Sequence, residues 1–365
     1  MQHWGVRKAD KTLSAKQGAE VIMHRAARIE DAVHEFRQKR AQASGKVPTI
    51  IPYAGYGSTT WLRVLARVLL TTPPRPGSRA DRKAQKHIES IRGWRSFTSV
   101  PFGKVPVTIH AGGRSHTVAA DRGGVVDVVI EVALEPGWQT VTIGTEGGET
   151  VESPVFVLDP STRFGVVSDI DDTVMVTALP RPLLAAWNTF VLDEHARVPT
   201  PGMAVLLERL TTENPGSPVI YLSTGAWNVA PTLTRFLSRN LYPAGPLLLT
   251  DWGPTHDRWF RSGREHKREN LRRLAREFPD VRWLLIGDDG QHDEELYGEF
   301  AATHPENVAA VAIRQLSNGE AVLAGGRSKA AAHEQATSAR WFYGGNGAEL
   351  TDQLVGAGLL PATRR

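Results

Sequence analysis

After Arg163, five apolar runs, "FGVVSD", "PVIYLST", "PLLLTD", "RWLLIGD" and "NVAAVAI", alternate with segments of helical texture. The latter are "GMAVLLERLTTE", "NVAPTLTRFLSRN", "EHKRENLRRLAREF" and "DEELYGEFAATH". Apolar runs without polar alternation suit strands covered on both faces, and intervening helices supply the covers. This half of the chain is therefore confined to a doubly wound parallel α/β sheet. Ligands of such sheets bind beyond the carboxyl ends of the strands. Polar residues fall there: Asp169 ends the first run, Ser223 and Thr224 the second, and Asp288 and Asp289 the fourth. Lys267 is expected to open the helix before that fourth run.

Upstream, from about Pro48, the texture is different. "WLRVLARVLL", "KVPVTIHA", "VDVVIEVAL", "WQTVTIG" and "SPVFVLD" are rich in Val, Ile and Thr, with "AGGRS", "ADRGG" and "EPG" as turns. This predicts a small antiparallel β-sandwich of immunoglobulin-like kind. The glycines of "AGYGS" read as a turn ahead of the first sandwich strand, since no Lys-Ser/Thr pair follows to make a phosphate loop. The basic insert "PPRPGSRADRKAQKHIESIRGWRSF" reads as a loop plus a short helix.

Before Pro48, Ile22, Ala26, Ile29, Val33 and Phe36 form one apolar stripe on a basic helix. Such a helix either lies on an anionic membrane or docks on protein. The expected divisions are 1–47 for this helix, 48–160 for the sandwich, 161–361 for the catalytic domain and 362–365 for a tail.

At 365 residues, with 41% hydrophobic and 22% charged residues, the composition is that of an ordinary globular protein. The absence of cysteine excludes disulfides, thiolate catalysis and zinc–thiolate sites. No run reaches the length of a membrane span and the start lacks a secretory apolar stretch, so a cytoplasmic location is expected. A net charge of +4 and a pI near 9.4 favour anionic partners.

The strand-end residues match the needs of phosphoryl transfer through a covalent intermediate. That chemistry takes a carboxylate nucleophile, an acid/base, a divalent cation and donors for the phosphoryl oxygens. Asp169 can attack, and Asp171 can protonate the leaving oxygen and then activate water. Mg²⁺ prefers a few carboxylates plus waters, which Asp169 and Asp288 can offer, with Asp171 beside them. Ser223 and Lys267 can hold the phosphoryl group.

"DIDDT", the Ser of "VIYLSTG", Lys267 in "EHK" and "IGDDGQHDEELY" resemble, in order, the four motifs of the haloacid dehalogenase superfamily, in the Asp-x-Asp-x-Thr form shared with lipins. Together with "STGAW" and the upstream "IPYAGYGSTTWLRVLARVL", they look like the actin-patch-associated phosphatidate phosphatases. The resemblance implies a haloacid-dehalogenase-type Rossmann-like domain and Mg²⁺-dependent removal of phosphate from phosphatidic acid at a membrane surface, with no nucleic acid involved. It implies Asp169 as nucleophile, Asp171 as acid/base, Thr173 as support, Ser223 and Lys267 as phosphate binders and Asp288 as metal ligand. The chain departs from the family at "STGAW", where Ser-x-Ser-Pro-Trp is commoner, and at Asp289, the third place of Gly-Asp-Asp-Gly-Gln, where many have Ser.

Only about fifty residues separate Asp169 from Ser223, and about forty separate Ser223 from Lys267, too few for a full cap domain. An uncapped site admits a bulky substrate. Two inserts border it: one carries Arg181, Trp187, Phe190 and Arg197, the other Trp252, Arg258, Trp259, Phe260, Arg261 and Arg264. These suit a lipid phosphate headgroup, or else the aromatics pack beneath the loops. Further candidates are Asp289, Asp293, Arg197, Thr224 and Trp227. Asp172 and Asp293 assist a metal or cap helices. His256, His266 and His292 show no metal-ligand spacing. The alternatives to a phosphatidate phosphatase are a phosphatase for a phosphoprotein or soluble ester, and a membrane or scaffold module with a vestigial site.

Overall fold

The computed structural model describes residues 35–73, 99–176, 198–250, 256–290, 292–323 and 338–362, with only the backbone described over 256–262. The predicted N-terminal helix falls mostly outside these residues; 35–43 are helical. The basic insert after β2 and the insert carrying Arg181, Trp187, Phe190 and Arg197 also lie outside them.

Eight strands precede Asp159: β1 (Val47–Ser58), β2 (Trp61–Thr71), β3 (Val100–Pro101), β4 (Pro106–Ala111), β5 (Arg114–Ala119), β6 (Val125–Glu131), β7 (Gly137–Thr145) and β8 (Val151–Leu158). They hydrogen-bond as one sheet in the order β3-β2-β1-β8-β7-β4-β5, with β6 beside β2. β6 and β3 share one edge of β2, along Trp61–Arg67 and Leu69–Leu70 respectively. One face of this curled sheet encloses Ile50, Leu62, Val64, Val107, Ile109, Val141 and Val155, all buried. Alternation along the strands puts these residues inside, as period-two side-chain geometry requires.

The "AGYGS" glycines do not form a turn. Gly55 and Gly57 lie inside β1, where the pairing with β2 shifts between Tyr53 and Tyr56. A Cβ at Gly55 would sit 2.4 Å from the Arg63 carbonyl oxygen, and one at Gly57 2.2 Å from that of Trp61. The glycines thus let a bulged strand approach its neighbour, a role that sequence punctuation alone does not separate from a turn.

The second sheet follows: β9 (Phe164–Asp169), β12 (Val219–Ala226), β13 (Leu247–Thr250), β14 (Arg282–Asp288), β15 (Val308–Arg314) and β16 (Trp341–Gly344), in the order β13-β12-β9-β14-β15-β16. Every pairing in it is parallel. A two-stranded ribbon, β10 (Met175–Val176) with β11 (Val198–Pro199), stands apart. The helices are α1 (Met203–Glu213), α2 (Ala230–Arg239), α3 (His256–Glu277), α4 (Asp293–Thr303), the short α5 (Asn318–Leu323) and α6 (Gly347–Gly356). All five predicted strands and four predicted helices are present, and β16 adds a sixth strand to the sheet.

α3 starts well before Lys267, which therefore lies mid-helix and does not open it. Gly263 fits within the helix: a Cβ there would meet Thr224 Cγ2 at 3.1 Å, so glycine serves close packing of the helix on β12 and not as a breaker. Trp283, Tyr221, Tyr297 and Ile170 are fully buried. Each such side chain contributes roughly 1.5–3 kcal/mol of burial free energy. The same core includes Ile51, Tyr53, Tyr56, Leu65 and Leu69 from the outer face of the first sheet, so the two sheets pack against one another. Among the described residues no helix is long and apolar enough to cross a membrane.

Candidate active site

Placing β9 between β12 and β14 is what assembles the polar residues. Leu222 pairs with Asp169 and Ile286 with Ser168, so Ser223 and Asp288 each project one residue beyond Asp169 on either side. All three are buried. α3 and α4, which flank β14, add Lys267 and Asp293.

Lys267 Nζ donates to Asp169 Oδ1 and to Asp293 Oδ1, each at 2.6 Å. Ligand oxygens of Asp169, Asp288 and Asp293 all lie within 4.8 Å of one another. Burial raises the Asp169 carboxyl well above the usual range; Lys267 opposes this, while Asp293 and Asp171 reinforce it. Burial likewise raises Asp288, with Asp293 and Asp169 adding repulsion. Burial would lower Lys267, but the attraction of Asp169 and Asp293 outweighs it and raises the ammonium pKa. The second oxygens of Asp169, Asp288 and Asp293 are buried with no hydrogen-bond partner among the described residues. Three carboxylates against one ammonium, with three orphan oxygens, form a donor set suited to a hard divalent cation.

Asp171 and Ser223 meet as well. The Ser223 hydroxyl donates to Asp171 Oδ2 at 2.9 Å and accepts the Gly225 N–H at 2.9 Å. Asp172 has a φ of 59°, a conformation Asp tolerates, and its N–H donates to the Met175 carbonyl. Its backbone belongs to the turn, while its buried carboxylate adds to the repulsion acting on Asp288. Thr173 is fully buried, its Oγ1 without a described partner.

Asp288 Oδ1 accepts the Gly290 N–H at 2.7 Å, and Asp289 Oδ1 accepts the Leu316 N–H at 2.8 Å, so Asp289 braces the loop after β15. Thr224 packs on Gly263, and Trp227 is buried against Tyr53. Arg264 is half-buried, 3.7 Å from Glu295. His266 is turned to the Leu248 carbonyl at 3.3 Å, and His292 pairs with Glu295 at 3.6 Å. Arg197 and the side chains of Trp252, His256, Arg258, Trp259, Phe260 and Arg261 lie outside the described residues.

Sequence reasoning missed two contributors. Arg314 ends β15 on the same rim, buried, donating to the Asp172 carbonyl at 2.6 Å and to Glu320 at 2.6 Å. A charged residue closing an apolar strand was the available signal. Gly287 was the other. A Cβ there would lie 2.6 Å from Asp293 Oδ2, so its hydrogen makes room for the Lys267 partner beside β14.

Residues 164–315 match the family model of "Phosphatidate phosphatase APP1, catalytic domain". Phosphatidate phosphatase APP1 of Saccharomyces cerevisiae is 27% identical over 156 residues, covering 42% of this chain and 26% of that protein. An uncharacterized protein of Schizosaccharomyces pombe is 30% identical over 173 residues, 45% of this chain and 27% of its own. The chain thus spans about a quarter of the length of these relatives. Among solved structures, a carbohydrate acetylesterase from Xanthomonas citri aligns with a TM-score of 0.28 at 11% identity, over 80% of this chain and 75% of that one, too low to bear on the fold. Over residues 164–315, this chain is thus similar to the catalytic domain of the APP1 phosphatidate phosphatases.

Proposed function

We propose that the chain is a Mg²⁺-dependent phosphatidate phosphatase working through an aspartyl-phosphate on Asp169. The reading is carried by the buried convergence of Asp169, Asp288, Asp293 and Lys267 at the carboxyl ends of adjacent parallel strands. The strand order, with the motif-bearing β9 at its centre, supports a haloacid-dehalogenase-type catalytic domain over 161–361, and the curled sheet supports an accessory sandwich over 48–160.

Asp169 and Asp288 would hold the cation, with Asp171 beside them and Asp293 in reach. Mg²⁺ bound there would offset the charge of the incoming phosphate. Asp169 Oδ1 is held by Lys267 and its Oδ2 is unpartnered, so Oδ2 is the oxygen free to attack. Its bond to phosphorus forms as the ester P–O bond breaks. The Asp171 carboxyl, oriented by Ser223, protonates the departing glycerol oxygen. In the second half Asp171 takes a proton from water, the water oxygen bonds to phosphorus, and the Asp169–phosphorus bond breaks. Ser223, Thr173 and Lys267 are the donors near the phosphoryl oxygens.

An uncapped approach and the aromatic and arginine-rich inserts favour a phosphate on a lipid surface, hence peripheral action at a membrane. The test is phosphate release from phosphatidate and from a panel of soluble esters and phosphopeptides, with and without Mg²⁺. Mg²⁺-dependent preference for phosphatidate is expected; preference for a soluble ester or a phosphopeptide moves the chemistry to another substrate, and no release from any removes it.

A further inference from the structure

We infer that Tyr53, on the accessory sheet, is a positioning residue for the Ser223 loop; the inference rests on the phosphatase reading above. The Tyr53 hydroxyl donates to the Trp227 carbonyl at 3.1 Å, and its ring stacks on Trp227 with centroids 4.7 Å apart at 24°. Both residues are buried. Trp227 directly follows β12, four residues after Ser223, and the intervening Gly225 N–H is the donor that fixes the Ser223 hydroxyl against Asp171.

The geometry is built into β1. Ile51 and Tyr53 face the α/β core while Ile50 faces the sandwich core, as alternation demands. Without an irregularity, Tyr56 would then point back into the sandwich. The register shift between Tyr53 and Tyr56 inserts one residue and turns Tyr56 to the same side as Tyr53. Tyr53 is itself anchored: its carbonyl accepts the Ser153 hydroxyl of β8 at 3.0 Å.

The two tyrosines reach different places. Tyr56 donates to Glu277 Oε2 at 2.7 Å, at the last residue of α3. Ten residues separate that point from Lys267, about 15 Å along the helix. Only Tyr53 touches backbone continuous with a residue that contacts Asp171. Tyr56 is thus a built-in control, a similarly buried tyrosine crossing the same interface without reaching the site.

Tyr53→Phe keeps the ring stack and deletes the hydroxyl. It is expected to lower kcat about 10-fold with KM changed less than about 2-fold, since misplacing an acid/base by a fraction of an ångström is costly. Hydrogen exchange of the segment 223–229 should quicken about 10-fold in the same variant, through loss of a fastening hydrogen bond. Tyr56→Phe should lower the melting temperature and leave both readouts unchanged.

Unchanged exchange in Tyr53→Phe, unchanged kcat despite faster exchange, or an equal kcat loss in Tyr56→Phe would each overturn the inference. A wild-type protein silent towards every phosphate ester defeats the phosphatase reading instead, and exchange alone then decides whether Tyr53 fastens the loop.

Discussion

Lys267 and Asp169 stand 2.6 Å apart, both buried, although 98 residues separate them in the chain. The ammonium also holds Asp293, so one positive charge is shared between two buried carboxylates. Lys267→Met is expected to cost about 3–5 kcal/mol at neutral pH, the range for breaking a buried pair. Burial holds the Asp169 carboxyl above its unfolded pKa, so the native state binds more protons there and the loss shrinks as pH falls towards 5. Urea unfolding at pH 8 and pH 5 checks this; an equal loss at both contradicts it.

Asp288 illustrates the opposite case. Burial and the neighbouring Asp293 and Asp169 raise its pKa, so without a cation it is a destabilising charge. Asp288→Asn keeps the acceptor for the Gly290 N–H and removes that charge. In chelator the variant should melt a few degrees above wild type, a gain of about 1–2 kcal/mol, and lose the rise in melting temperature that Mg²⁺ gives wild type. A variant less stable in chelator, or still stabilised by Mg²⁺, would count against a cation on Asp288.

Gly287→Ala puts a methyl group 2.6 Å from Asp293 Oδ2 and 2.7 Å from Tyr297 Cε2. Tyr297 is fully buried and cannot retreat cheaply, so Asp293 must move and its bond to Lys267 loosens. We expect a loss of about 1–3 kcal/mol, typical of overpacking, and a fall in turnover of about 10²-fold from the displaced ion pair. Near-normal turnover would mean that Asp293 is a bystander.

His266 supplies a pH test away from the carboxylates. It borders a cleft of about 670 Å³ between the two sheets, and burial pushes its pKa down to about 4. Arg273 and Lys267 on its own helix oppose its charge, and Asp127 on β6 favours it. Between its folded value and the unfolded value near 6.5, the unfolded chain binds the proton and the native one does not, so stability falls as pH drops. Wild type should lose on the order of 2 kcal/mol relative to His266→Leu between pH 7 and pH 4.5. A constant difference in melting temperature between the two proteins would contradict a buried neutral imidazole.

The sequence was most informative where one physical rule acts alone. Unbroken apolar runs such as "RWLLIGD" read as covered strands, and Asp169, Ser223 and Asp288 at the ends of three of them mark the binding rim. It was least informative where close packing decides. Gly55, Gly57 and Gly263 look like punctuation, yet a Cβ at any of them would lie under 3.2 Å from a neighbouring segment. The Lys267 partner Asp293 stood among the further candidates because helix capping explains an Asp at α4 equally well. Only the tertiary arrangement reveals that Gly287 leaves it room, or that Tyr53 meets Trp227 across 174 residues of chain.

The most direct test is phosphate release from phosphatidate in mixed micelles, measured with Mg²⁺ for wild type and Asp169→Asn side by side, with circular dichroism confirming equal folding. The account predicts Mg²⁺-dependent release by wild type and, because the nucleophile is gone, a loss of at least about 10⁴-fold in the variant. A folded Asp169→Asn protein that turns over phosphatidate like wild type would contradict it.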